Sequence, residues 1–404
     1  MRFSRRALLG TVAATAAVPI TSARAQKPAL KIGVLTDLSG PYQDLAGPTA
    51  VAAVRLAVEE FASKGFDVEV ISADHQNKPD IGAGIARQWF DRDGVDVVLE
   101  VANSAVALAV AGVAREKNRA YINSGAATSD LTGSACNGNT IHWVYDTYML
   151  SRSTATSVVK TGGDSWYMLV ADYAFGHALE RDASAFVTAA GGKVLGSIKT
   201  PFPGTTDFSS YLLQAQASGA KILGLCNAGT DTINSIKQAK EFGIKMQLAG
   251  LLVFLTDVHS LGLEVAQGLA ITESFYWDLN DRTRAFSERF KPRTPTRRPT
   301  MVQAGTYSSA LHALKAAADM GVAKVKGDGL GLIARMKAMP IDDDCFGPGS
   351  IRADGRKLHP SYLFQVKAPS ESKAPYDYYK LLATTPADQA FRPLNAGVCP
   401  MVKA

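Results

Sequence analysis

Lys31-Ile32-Gly33-Val34-Leu35-Thr36-Asp37-Leu38-Ser39-Gly40-Pro41-Tyr42 is a short apolar run that ends in a small, polar loop. An amphipathic helical pattern follows at once, with Val51, Val54, Val58 and Phe61 spaced three, four and three residues apart. This is the opening of a β-α unit. In an open α/β sheet, ligands collect outside the carboxyl ends of the strands, so a pocket is expected to begin at the loop 38–42.

Working outward, the same pattern recurs. Strands are expected at 66–71, 95–101 and 120–122, with helices at 80–92 and 105–117 between them. The near-continuous apolar run at 95–101 marks a parallel strand covered on both faces. Exit loops follow at Asn103-Ser104 and at Asn123-Ser124-Gly125-Ala126-Ala127-Thr128, and the repeats predict a doubly wound lobe. Ile141-His142-Trp143-Val144-Tyr145-Asp146 breaks the rhythm and a second series begins. It places helices at 148–160, 178–190, 207–218 and 231–242, strands at 166–170, 193–198 and 221–225, and weaker strands at 248–253 and 270–275. The stretch 280–299, rich in Arg, Pro and Thr, reads as a surface excursion, and helices at 301–320 and 329–339 follow. From Gly347 onward an antiparallel addition is expected, with strands at 362–366 and 378–382.

A chain of 404 residues, 47% hydrophobic and 20% charged, suffices for one large or two ordinary domains. Ser4-Arg5-Arg6-Ala7-Leu8-Leu9 is a twin-arginine pattern, followed by a mildly apolar run to Ile20 and a small-residue site at Ala23-Arg24-Ala25. Residues 1–25 read as a cleaved export signal, because the run is shorter than the roughly 20 apolar residues a membrane span needs. Removing its four arginines lowers the net charge from +6 to +2, so neither nucleic acid nor an anionic membrane is implied as a partner. An oxidising destination permits disulfides. Of the three pairings that four cysteines allow, Cys136–Cys399 is expected, since both lie in loop contexts and the bond would tie down the C-terminal tail. Cys226 reads as a free buried thiol, and Cys345 stays unassigned.

The common nucleophile, zinc and phosphate signatures are missing: the sequence has no Gly-x-Ser-x-Gly, His-Glu-x-x-His or Gly-x-x-x-x-Gly-Lys-Ser/Thr. The six histidines show no ligand spacing, and Asp342-Asp343-Asp344 lacks an EF-type loop, so no metal and no cofactor is expected. The strand-end loops instead offer groups that bind a small carboxylate. Helix starts present unpaired N–H groups, and Ser39, Ser104 and Thr128 add hydroxyls. Ser104 and Thr128 also fit as helix caps, a role compatible with binding. Tyr42, Tyr145, Tyr173, Phe175, Phe254, Tyr276 and Trp277 fall near loop or strand ends, where aromatic faces can sandwich a flat or branched apolar body.

Taken in order, the export signal, Lys31-Ile-Gly-Val-Leu with Leu38-Ser-Gly-Pro-Tyr42, Asn103-Ser104, Asn123-Ser-Gly-Ala-Ala-Thr128 and Asp172-Tyr-Ala-Phe-Gly176 resemble the periplasmic leucine-binding-protein family. These are the type I substrate-binding proteins of branched-chain amino acid ABC transporters, and the resemblance covers nearly the whole mature chain. It implies an α/β fold of two doubly wound lobes joined by a three-crossover hinge that closes on the ligand. The crossovers would fall at 145–147, near Trp277 and at 345–347. The first lobe would hold 26–146 plus 278–345, and the second 147–277 plus 346–404 with the C-terminal tail. Carried over by position, Ser104, Ala126 and Thr128, with Asn103 beside them, would hold a ligand carboxylate. Phe175 stands where amino acid binders commonly place a tyrosine, with Tyr173 two residues earlier, and the segment around Ala228 replaces an aromatic one. In the stretch 251–257 only Asp257 is available to pair with an ammonium, a departure that favours aromatic acids over α-amino acids.

The resulting expectation is a non-enzymatic, monomeric periplasmic receptor that delivers a small organic acid to ABC permease subunits in the inner membrane. Tyr42, Tyr173 and Phe254 would wall the apolar part of the ligand. The rivals are a branched-chain amino acid binder, a ligand sensor for a membrane receptor, and an exported enzyme. The last needs a nucleophile or base with an orienting partner, and the sequence offers no such pair.

Overall fold

The computed structural model describes residues 27–62, 65–294 and 297–402. The expected export signal at 1–25 lies outside them. The first sheet is built from β1 (Ala29–Thr36), β2 (Asp67–Asp74), β3 (Val97–Glu100), β4 (Ala120–Asn123) and β5 (Thr140–His142), in the order β2-β1-β3-β4-β5 with every pair parallel. Val97, Val98 and Leu99 are wholly buried, each contributing about 1.5–3 kcal/mol by leaving water. β2 alternates between exposed and half-buried positions, as its place at the sheet edge dictates. Gly33 is required on β1, since a Cβ there would lie 2.4 Å from the Trp89 ring.

Helices α1 (Gly47–Phe61), α2 (Pro79–Gln88) and α3 (Ser104–Glu116) connect these strands. Pro48 lies in the first turn of α1, which its fixed φ suits, and the helix buries Val51 and Val54. Helix α4 (Thr147–Lys160) then leads into a second parallel sheet, β7-β6-β8-β9, made of β6 (Ser165–Ala171), β7 (Lys193–Thr200), β8 (Ile222–Cys226) and β9 (Gln247–Gly250). Helices α5 (Ala174–Ala189), α6 (Ser209–Ala217), α7 (Thr230–Glu241), α8 (Leu255–Leu261) and α9 (Leu263–Ala266) belong to this second lobe. Its strand β10 (Ala270–Glu273) follows, and the chain returns to the first lobe after Trp277.

The stretch 280–299, expected to be a surface excursion, instead forms α10 (Asp281–Phe290) across its first half. Phe286 and Phe290, four residues apart, are buried, Phe286 against Phe275 and Tyr307, while Arg289 of the helix reaches Glu60 and Arg293 and Arg297 beyond it reach Glu59 and Asp44 around α1. The charge-rich composition hid an amphipathic helix. α11 (Met301–Met320) completes this side: Gln303 donates to the Leu45 carbonyl at 2.9 Å and Tyr307 to Glu60 at 2.5 Å. α12 (Val322–Val325) and α13 (Gly329–Ala338) follow, with Gly329 N–H bonded to the Asn118 carbonyl.

The remaining strands are antiparallel, in two sets. β11 (Ile341–Asp343), β12 (Gly347–Ile351) and β13 (Lys357–Leu358) form one; β14 (Ser361–Val366) and β15 (Tyr379–Thr385) extend β10 in the other. The stretch 346–404 is therefore shared between the lobes. Arg356, fully buried, donates to the Val144 carbonyl and bridges to β5 at His142, which holds 347–358 on the first lobe. The third passage consequently lies at 358–361, not at the expected 345–347. A fourth follows β15: Arg352 donates to the Arg392 carbonyl, Arg392 donates to the Ser129 carbonyl, and Cys399 is disulfide-bonded to Cys136, with Cα atoms 5.6 Å apart. Cys226 and Cys345 are free and buried.

Because this bond closes a span of 263 residues, the double variant C136S/C399S is expected to lose roughly 2–5 kcal/mol of stability. Denaturant titration of both proteins checks this, and an unchanged midpoint contradicts it.

Candidate functional site

The carboxyl ends of the two parallel sheets face one another, and the loops that leave them meet around a single cleft. From the first lobe come Tyr42 and Leu45 after β1, Ala102 after β3, Gly125 and Ala127 after β4, and Tyr145 after β5. From the second come Tyr173 and Phe175 after β6, Ala228 after β8, and Leu252 and Phe254 after β9. With the lobes in contact the cleft leaves only about 10 Å³ free, room for about one water molecule, and none of these lining residues carries a formal charge.

Tyr42 is placed by Asp37. The Asp37 carboxylate accepts the N–H groups of Ser39, Gly40 and Tyr42 and the side-chain amide of Asn77, so the loop wraps around one buried anion. Tyr42 then crosses the cleft. Its hydroxyl bonds that of Tyr173, and both rings stack on Phe202, with centroids at 5.3 and 4.3 Å. Tyr145 donates to the Gly125 carbonyl at 2.5 Å and meets Phe254 edge-on at 5.8 Å. The lobes also touch where Thr230 N–H reaches the Pro41 carbonyl, and where Asp182 of α5 accepts from Ser129 and Thr147. The two lobes are closed on each other.

Of the residues expected at the site, Tyr42, Tyr145, Tyr173, Phe175, Ala228 and Phe254 share this cleft. Asn103, Ser104, Ala126 and Thr128 sit one shell behind its wall. Asn103 caps α3 by accepting from Ala105 and Val106 N–H, Ser104 accepts from Thr128 N–H at 3.2 Å, and Thr128 accepts from Asp130 N–H. Ala126 is held by the Asn123 amide through both its N–H and its carbonyl, and its side chain packs into the first-lobe core. The Ser39 hydroxyl bonds Asp74, away from the cleft. Tyr276 and Trp277 both donate to the Tyr376 carbonyl in the second-lobe core. Phe202 had not been expected here, although it too follows a strand, β7.

Acidic groups lie closer to the cleft than the loop composition suggested. Asp257 accepts from the Phe254 N–H as a helix cap, and burial lifts its carboxyl to about 7. Glu273 accepts from the Tyr379 hydroxyl through one oxygen and leaves the other unpaired. Asp231, in the first turn of α7, has an unpaired oxygen near Tyr42 and Tyr173, and burial lifts it to about 7. Glu100, the last residue of β3, is fully buried with no well-aligned hydrogen bond to either oxygen, and burial lifts it to about 8 against the lowering effect of Thr36 and the Val101 and Ala102 N–H groups. It belongs to the run 95–101, where it reads as part of an apolar strand; an acid closing a buried strand was the signal. Glu100 and Val101 have φ of 79° and 67°, a conformation costing on the order of 1–3 kcal/mol at each such residue. Among the described residues no cluster of His, Cys, Asp and Glu could hold a metal ion, and no helix is long and apolar enough to cross a membrane.

With this geometry in place, the comparisons with known proteins fall into line. The chain belongs to the periplasmic binding protein family, whose profile matches residues 29–373. It is similar to a periplasmic binding protein from Burkholderia mallei, at 47% identity, 93% of this chain, 99% of that one and a TM-score of 0.89. It is also similar to a branched-chain amino acid ABC transporter periplasmic ligand-binding protein from Burkholderia xenovorans, at 40% identity, 92% and 99% coverage and a TM-score of 0.80. A solute-binding protein from R. palustris in complex with benzoate shares the fold, at 21% identity, 88% and 96% coverage and a TM-score of 0.78. No curated protein matches the chain. The protein is thus an ABC transporter solute-binding protein, and its family is one of non-catalytic substrate-binding proteins.

The elevated Glu100 carboxyl has a consequence for stability. The unfolded chain releases this proton near pH 4.3, whereas the folded protein keeps it to about pH 8, so the residue withdraws stability as pH rises through that window. E100Q cannot ionise. It is expected to melt progressively higher than the unmodified protein between pH 5 and 8, by at most about 1.4 kcal/mol per pH unit. Scanning fluorimetry across that range checks this, and a gap independent of pH contradicts it.

Proposed function

We propose that the protein captures a small organic acid with a single aromatic ring in the interlobe cleft and presents it to the permease subunits of an ABC importer. The observation that carries this reading is the aromatic wall drawn from both lobes, Tyr42 from one and Tyr173, Phe175 and Phe254 from the other. Such rings gain most from offset or edge-on contact with a flat apolar body. Tyr145 and the small residues Ala102, Ala127 and Ala228 complete the lining, and the Tyr42–Tyr173 contact must part to admit a ligand ring. The carboxylate of the ligand lies toward the start of α3, where the helix dipole and Ser104 favour an anion, with Asn103, Ala126 and Thr128 shaping that corner. In this reading residues 1–25 direct export to the periplasm by the twin-arginine route, and the receptor acts as a monomer.

A branched-chain amino acid is the second reading, favoured by the 40% identity to the branched-chain amino acid ABC transporter ligand-binding protein of Burkholderia xenovorans. Its ammonium would need an ionised partner. Asp257 is already engaged as a cap, and burial favours the neutral form of Asp231 and Glu273.

A thermal-shift screen over benzoates, cinnamates and amino acids separates the two. An aromatic acid at about 100 times its Kd is expected to add roughly 2.7 kcal/mol of stability. Y42A and Y173A are each expected to weaken its binding about 10-fold or more by calorimetry. Stabilisation by leucine, isoleucine or valine alone contradicts the proposal, as does chemical conversion of the bound compound.

A further inference from the structure

Glu100 occupies the place in the first sheet where a ligand group is most readily reached. β1 sends its successor β2 to one side while β3 lies on the other, so the gap above Leu35 and Glu100, which are register partners, is the topological switch point of the lobe. Both carboxyl oxygens are buried without a well-aligned hydrogen bond, although the Thr36 hydroxyl and the Val101 and Ala102 N–H groups lie close enough to favour the charged form. A buried carboxyl without a well-aligned partner is costly, and so is the left-handed backbone of Glu100 and Val101. The carboxyl also lies against the cleft wall. A Cβ on Gly125 would fall 1.9 Å from Glu100 Oε1, and Gly125 and Ala102 both line the cleft. Glycine at 125 therefore leaves the space that the carboxyl occupies beside the cleft wall.

We propose that Glu100 is a ligand-contacting residue which, as a neutral carboxylic acid, donates a hydrogen bond to the carboxylate of the bound aromatic acid. This rests on the aromatic-acid reading above. A ligand anion at the start of α3 has no lysine or arginine among the residues lining the cleft, and a neutral acid supplies a strong donor where a second anion would repel. Burial and the nearby Asp37 favour the neutral state and outweigh the Thr36 hydroxyl and the Val101 and Ala102 N–H groups, which favour the charged one. Asp37 on the β1 loop is an anion already saturated with donors, and Tyr121 and Tyr145, from β4 and after β5, are neutral phenols. Burial holds the proton to about pH 8.

The test is calorimetric titration of the full mature chain with benzoate and 4-hydroxybenzoate from pH 6.5 to 9.5, where the ligand carboxylate stays ionised. Affinity is expected to be flat at the acid end and to fall toward 10-fold per pH unit above about pH 8. E100Q, which keeps a donor but no titrating proton, is expected to bind within about 3-fold of the unmodified protein at pH 7 and to lose the pH dependence. E100A is expected to bind about 10-fold more weakly or worse. The profile of the unmodified protein requires no variant, so misfolding of E100A leaves the test intact. A flat profile overturns the role of Glu100 and leaves the ligand class standing. Affinity that rises with pH and is abolished in E100Q overturns it in favour of an ionised Glu100 holding a cation. Absence of binding by any aromatic acid at pH 6.5 overturns the ligand class and this inference with it.

Discussion

Two parallel sheets present their carboxyl edges to each other, and everything that distinguishes this molecule follows from what those edges carry. Each sheet ends in a row of short loops whose backbone must find partners, and each loop delivers one or two side chains to the gap. Here the delivered side chains are mostly rings and methyl groups. The contact made by Tyr42, Phe202 and Tyr173 spans that gap and joins one lobe to the other through apolar surface and a single hydroxyl pair. Such a contact is reversible by construction, because its rings can exchange one another for a ligand ring of similar chemistry.

The surroundings hold that contact in register. Asp37 organises the loop that aims Tyr42, Asp182 joins α5 to Ser129 and Thr147, and Arg356 fixes the strand pair beside the passages between lobes. The tail returns to the first lobe and is fastened there by Cys399. The lobes are joined as the type I periplasmic binding protein fold requires, and the tail fastened by Cys136–Cys399 adds a further link. The acids Glu100, Asp231 and Glu273 are kept dry in this arrangement.

Most of the architecture was legible because it rests on periodicity. The alternation of apolar runs with three-four spacing located the strands and helices of both lobes, and the strand-end rule pointed to Tyr42, Tyr173, Phe175 and Phe254. Composition misled where it outweighed spacing: the arginines of 280–299 concealed Phe286 and Phe290 on the buried side of α10. Orientation was not legible at all. The hydroxyls of Ser104 and Thr128 are the right groups in the right loops, yet both also make bonds within their own lobe. Glu100 is invisible to pattern reading, since its significance lies in a buried carboxyl without a well-aligned hydrogen bond, beside a glycine distant in sequence.

A co-crystal structure with benzoate is the most direct measurement of the central claim, that the ring-lined gap between the sheet edges is the receptor's binding site. The account predicts one ligand there, its ring against Tyr42, Tyr173 or Phe254 and its carboxylate toward Glu100 and the start of α3. Benzoate found only on the outer surface, with Tyr42 and Tyr173 still in mutual contact across a vacant gap, would contradict it.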